Sequence, residues 1–161
     1  MMSHEGNGFN PYCEAVRLSE LARHALEQGR NIISTPLMNK LLDEKFEDPM
    51  LGIIAAHLIL ARRRPNWELL HIITRNLTKL LGQHPDVQAL LVAMKERSKV
   101  KISTVECPPL LRKSWSCITK ATHKRASLIP QGSIIARIAN EIVLGGPWLI
   151  HRVTTEAHQE M

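Results

Sequence analysis

The stretch Asp48-Pro49-Met50-Leu51-Gly52-Ile53-Ile54-Ala55-Ala56-His57-Leu58-Ile59-Leu60-Ala61, followed by Arg62-Arg63-Arg64-Pro65, decides how this chain folds. Asp48 is of the residue type that caps a helix, and Pro49 suits the first helical position, where a missing amide proton costs nothing. Apolar side chains then run around most of the helical circumference, the pattern of a helix enclosed by others. The apolar run is broken by Gly52 and His57 and is well short of the roughly 20 residues a bilayer crossing requires. Three arginines put positive charge at the negative pole of the helix dipole, and Pro65 disfavours further helix. This segment, about 49–63, is therefore expected to be the central apolar helix of an all-α bundle.

The same punctuation recurs on both sides. Asn10-Pro11 opens a helix that Gly29 closes, and Ser34 or Thr35 with Pro36 opens a short one bearing Leu37, Met38, Leu41, Leu42 and Phe46. Asn66 caps a helix from Trp67 to about Leu81, with Leu69, Leu70, Ile73, Leu77, Leu80 and Leu81 expected on one buried stripe and Gly82 as its stop. Pro85 opens the next, with Val87, Leu90, Leu91 and Met94, so residues 67–96 read as an antiparallel helical hairpin. Residues 97–107 read as a loop. Pro108-Pro109 introduces a helix through about Arg125, and Ser133 caps a last one carrying Ile134, Ile135, Ile138 and Ile142. Gly145-Gly146-Pro147 ends it, and Trp148, Leu149 and Ile150 are expected to fold back onto the core. The expectation is a single domain of six or seven helices over residues 10–150, flanked by a flexible tail at 1–9 and a polar one at 151–161.

Composition agrees with that reading. Of 161 residues, 44% are hydrophobic but only 4% aromatic, so the core must be aliphatic, a palette that favours helix over sheet. Three cysteines, Cys13, Cys107 and Cys117, are too few for a disulfide framework, and with no secretory leader pattern they point to free thiols in the cytoplasm. No membrane association is expected.

Enzyme chemistry finds no purchase in the motifs. His57 and His71 lack a second His, Cys, Asp or Glu at helical ligand spacing, apart from Glu68 before His71, which a surface pair explains. There is no Gly-x-Ser-x-Gly elbow and no glycine-rich loop leading into Lys-Ser or Lys-Thr. The expectation is a protein with no catalytic residues, no metal and no cofactor, although polar groups converging from several helices could still form a dispersed site.

Charge is the feature that packing leaves unexplained. The net charge is +6, all of it in the second half: residues 1–86 carry ten Lys or Arg and ten Asp or Glu, and residues 87–161 carry eleven against five. Lys95, Arg97, Lys99, Lys101, Arg112, Lys113, Lys120, Lys124 and Arg125 face only Glu96 and Glu106 within their stretch. Such a face can meet an acidic protein surface, neutralise nucleic-acid phosphates, or be merely solvated. Nucleic-acid binding lacks a recognition-helix unit and interleaved aromatics, with Trp115 on the apolar side of its helix. Cys117 shares a helical face with Lys113, Lys120 and Lys124, whose ammonium groups would favour a reactive thiolate; the alternative is a small residue at the border of a solvated face.

One similarity runs through the chain. Lys45-Phe46-Glu47-Asp48-Pro49-Met50-Leu51-Gly52 with Ala55-Ala56-His57-Leu58, then His84-Pro85-Asp86-Val87, Pro109-Leu110-Leu111-Arg112-Lys113-Ser114-Trp115 and Gly146-Pro147-Trp148-Leu149-Ile150, resembles helical modules of bacterial multidomain proteins, some of which carry caspase-like protease domains. The resemblance spans roughly residues 40–150. It implies a non-catalytic accessory role, as a regulatory, substrate or scaffold partner of a larger effector, since no protease His and Cys context is present. A protein-interaction module is thus the leading expectation, with a basic nucleic-acid binder and an enzyme with a dispersed site behind it.

Overall fold

The computed structural model describes residues 12, 14–29, 34–43, 48–94, 103–143 and 145–152. Among them are seven α-helices: α1 (Glu14–Gln28), α2 (Thr35–Asp43), α3 (Pro49–Leu60), α4 (Trp67–Leu81), α5 (Pro85–Met94), α6 (Arg112–Thr122) and α7 (Ile134–Ile138). The only sheet among the described residues is a two-stranded ribbon of β1 (Ile142–Val143) and β2 (Ile150–His151). The all-α class read from the sequence holds. The chain divides after Leu81 into two compact units, each described by itself.

In the first unit α3 is the central element, packed against α1, α2 and α4. Every residue from Leu51 to Ile59 is buried, His57 included. Its start follows the local rule: Asp48 accepts a hydrogen bond from the Met50 amide at 3.0 Å, and Pro49 occupies the first turn. The helix stops at Leu60, three residues earlier than expected, with Ala61 as its C-cap. Around it α1 presents Leu18, Ala22, Ala25 and Leu26, α2 presents Met38, Leu41 and Leu42, and α4 presents Leu70, Ile73 and Leu77. Each of these is one apolar stripe at helical spacing. Full burial of a Leu or Ile contributes about 1.5–3 kcal/mol, which makes α3 the largest single source of stability here. Asn66 caps α4 through Oδ1 and the Leu69 amide, and Gly29 and Gly82 end α1 and α4 at φ of 63° and 60°, a region that favours glycine.

The second unit is built on α5 against α6. Ala89 and Val92 of α5 meet Trp115 and Ile118 of α6, with Val105, Leu128 and Ile135 completing the buried cluster. Residues 103–107 have no regular structure but are tied at two points: the Val105 amide donates to Leu128 O at 2.8 Å, and Glu106 O accepts from the Ile135 amide at 3.1 Å. Ser133 caps α7 as expected, its Oγ accepting from the Ala136 amide.

Two local expectations are corrected. The helix expected from Pro109 begins only at Arg112, because Leu111 is held extended in a bridge with Trp148. Ile142 does not continue the last helix. The chain leaves helical geometry after Glu141, and Ile142 pairs with His151 while Val143 pairs with Ile150. Of the tail expected at 151–161, His151 belongs to β2; its residues 153–161, the tail at 1–9 and the expected opening at Asn10-Pro11 lie outside the described residues.

Candidate functional site

Helix α6 separates two kinds of side chain. Ser114, Trp115 and Ile118 are buried against the core, placing Trp115 on the apolar side as its spacing predicts. Lys113, Cys117 and Lys120 recur at four- and three-residue intervals on another face. Arg112 begins the helix, and Lys124 and Arg125 lie in the turn that ends it, their amides donating to Ala121 O. Five of the nine expected cations thus sit on or beside one short helix; Lys95, Arg97, Lys99 and Lys101 lie outside the described residues. Arg112, Lys113 and Lys120 form no ion pair with a described carboxylate. The described residues of this unit hold seven Lys or Arg against Asp86, Glu106 and Glu141, and Asp86 is wholly buried.

Asp86 explains where α6 begins. Leu111, the residue before the helix, makes no side-chain cap. Instead the Asp86 carboxylate, in the first turn of α5, accepts hydrogen bonds from the Leu110 amide at 2.7 Å and the Leu111 amide at 3.0 Å. His84 stands beside it, Nδ1 lying 3.6 Å from Asp86 Oδ2 and accepting from the Asp86 amide at 3.3 Å. A buried carboxylate is tolerated when its lone pairs are matched by such donors. Its role here is to clamp the segment entering α6 onto the start of α5. Nothing in the sequence marks this pairing, because the partners are 24 and 25 residues apart.

The ribbon attaches to the same place. Leu111 bridges Trp148, the Leu149 amide donates to Leu110 O at 2.8 Å, and the Arg112 amide donates to Pro147 O at 2.9 Å. Of the segment expected to fold back onto the core, only Leu149 does so. Trp148 and Ile150, on either side of it, remain 42% and 53% exposed, and Val143, opposite Ile150, is 38% exposed. Alternation along an extended chain puts Trp148 and Ile150 on one face, and direct pairing adds Val143. Leu110 next to them is 51% exposed.

The thiols divide. Cys107 is exposed; Cys117 is partly covered, and burial pushes its thiol up from the ordinary value, outweighing the opposite pull of Lys120 and Lys113. That balance runs against the thiolate expected from the lysines alone. Cys13 lies outside the described residues.

A concavity of about 250 Å³ lies between the start of α5 and residues 104–107, lined by Gln83, Pro85, Gln88, Thr104, Val105, Glu106 and Cys107. Gln88 is 95% buried, and its Oε1 has no hydrogen-bond partner among the described residues. In the first unit His57 is buried in α3 and His71 half-buried on α4. Among the described residues no three His, Cys, Asp or Glu side chains are placed to hold a metal, and no helix is long and apolar enough to cross a membrane.

No protein-family model, curated protein or solved structure matches the chain.

Proposed function

We propose that the chain is a non-catalytic protein-interaction module, a regulatory, substrate or scaffold partner of a larger protein, that engages an acidic surface through the cations of α6. The observation that carries this reading is the one-sided build of that helix. Its buried face is fully accounted for by the core, while Arg112, Lys113 and Lys120 have no carboxylate to answer them among the described residues. Cations placed that way speed encounter with an acidic partner and set its orientation.

The test is recovery of partners from an extract of the source organism by the wild-type chain and by a Lys113→Glu/Lys120→Glu variant, at low and at high salt. The reading expects one defined protein, held by the wild type after nuclease treatment and lost by the variant. Recovery of nucleic acid alone, abolished by nuclease, would instead support a phosphate-binding role for the same cations. Turnover of a small molecule by the isolated chain would overturn both.

A further inference from the structure

Among the described residues, the ribbon face brings exposed large apolar side chains together by strand pairing. The other exposed ones are Tyr12, Leu21 on α1, Ile72 and Leu80 on α4, Leu110 before α6 and Ile134 on α7. Scattered ones are ordinary on a protein surface, and a contiguous set is not. Val143, Trp148 and Ile150 are contiguous by strand pairing and alternation. Folding does not need them outside, since Leu149 alone fills the core position of that segment.

The charge beside the patch is mostly positive among the described residues. Arg112 is tied at one end by the hydrogen bond from its amide to Pro147 O, and His151 and Arg152 follow Ile150 at the other, the Arg152 amide donating to Glu141 O. Glu141, half-buried, is the one described carboxylate on the ribbon. An aromatic and aliphatic centre rimmed by arginine is the composition of an interface core, in which a few buried anchors supply most of the affinity.

Resting on the interaction-module reading above, we infer that Val143, Trp148 and Ile150 form the anchoring site for a partner segment that alternates acidic and large apolar side chains, its carboxylates held by Arg112 and Arg152. The charge of the rim selects acidic over basic segments. The aliphatic members of the patch favour a protein segment over a nucleic-acid strand, because Val143 and Ile150 offer no ring on which a base could stack.

The experiment uses the full chain and three fluorescent peptides that share one pattern of Leu and Phe and differ only in carrying Asp, Ser or Lys between them. By anisotropy, the Asp peptide binds at least about tenfold tighter than the other two. Trp148→Ala and Ile150→Ser each weaken it by about tenfold, the loss expected of an interface anchor, without changing the circular dichroism of the free chain. As a second reading that needs no destabilising change, the indole N–H resonance absent from Trp148→Phe moves when the Asp peptide is added to the wild type.

Equal binding of all three peptides, a still Trp148 resonance, or a single-stranded oligonucleotide that displaces the Asp peptide from Trp148 would overturn the inference. If Lys113→Glu/Lys120→Glu abolishes capture of the natural partner while Trp148→Ala leaves it intact, the anchor site falls and the reading of an acidic partner stands. If neither variant affects capture, both fall.

Discussion

Asp86 is a carboxylate with no exposed surface, held by two backbone amides of a distant segment and lying beside an imidazole. Removing it strands the Leu110 and Leu111 amides in a dry site, where each unmet donor costs on the order of 1–3 kcal/mol. Asp86→Ala is therefore expected to lower the unfolding free energy by about 2–4 kcal/mol in urea titrations. Asp86→Asn recovers only part of this, because an amide can turn just one oxygen toward the two donors. Cys117 makes a second residue-scale prediction. Alkylation needs the thiolate, so in peptide-mapped iodoacetamide labelling Cys107 reacts first and Cys117 becomes reactive only above the ordinary thiol range. The sign for stability follows: the folded chain keeps the Cys117 proton to higher pH than the unfolded chain does. Its contribution is fully present below the ordinary thiol range and is lost as the pH rises from there through the raised folded value. Labelling of Cys117 at neutral pH as fast as Cys107 would contradict this.

Helices whose signals are local were legible, and those positioned from a distance were not. Asp48, Asn66 and Ser133 each bond an amide two or three residues ahead, so the cap can be read from neighbouring letters. Removing such a cap has a defined cost: Asp48→Ala should destabilise the chain by about 0.5–2 kcal/mol. The enclosure of α3 was legible too, since no polar stripe interrupts it. Ile59→Ala should cost about 2–5 kcal/mol, against at most ~0.5 kcal/mol for Ile72→Ala on the exposed side of α4, both read from chemical denaturation. By contrast Pro108-Pro109 mimics a helix start, yet α6 waits until Arg112 because Asp86 binds the amides of residues 110 and 111 and the bridge to Trp148 holds Leu111 extended. Ile134, Ile138 and Ile142 are spaced by four, an interval that suits both a helical stripe and one side of a strand, so the change of geometry between Ile138 and Ile142 left no mark. The basic face was visible as composition; its apolar neighbour was not, because it depends on the pairing of Val143 with Ile150.

The two units carry different surfaces. In the first, two of the described cations are paired, with Arg23 between Glu20 and Glu27 and Lys40 beside Glu14. Such exposed pairs add little stability but leave little net field. In the second, the cations of α6 lead at their N-terminal end into the apolar ribbon, through the bonds from Leu149 to Leu110 and from Arg112 to Pro147. Binding that uses both parts should weaken several-fold as salt is raised, through screening of the cations, while a component that depends on Trp148 persists. Hydrogen exchange on the full chain, with and without its captured partner, tests the central claim most directly. Slowed exchange confined to residues 110–124 and 142–152 is the expected result, and slowed exchange confined to α1–α4 would contradict it.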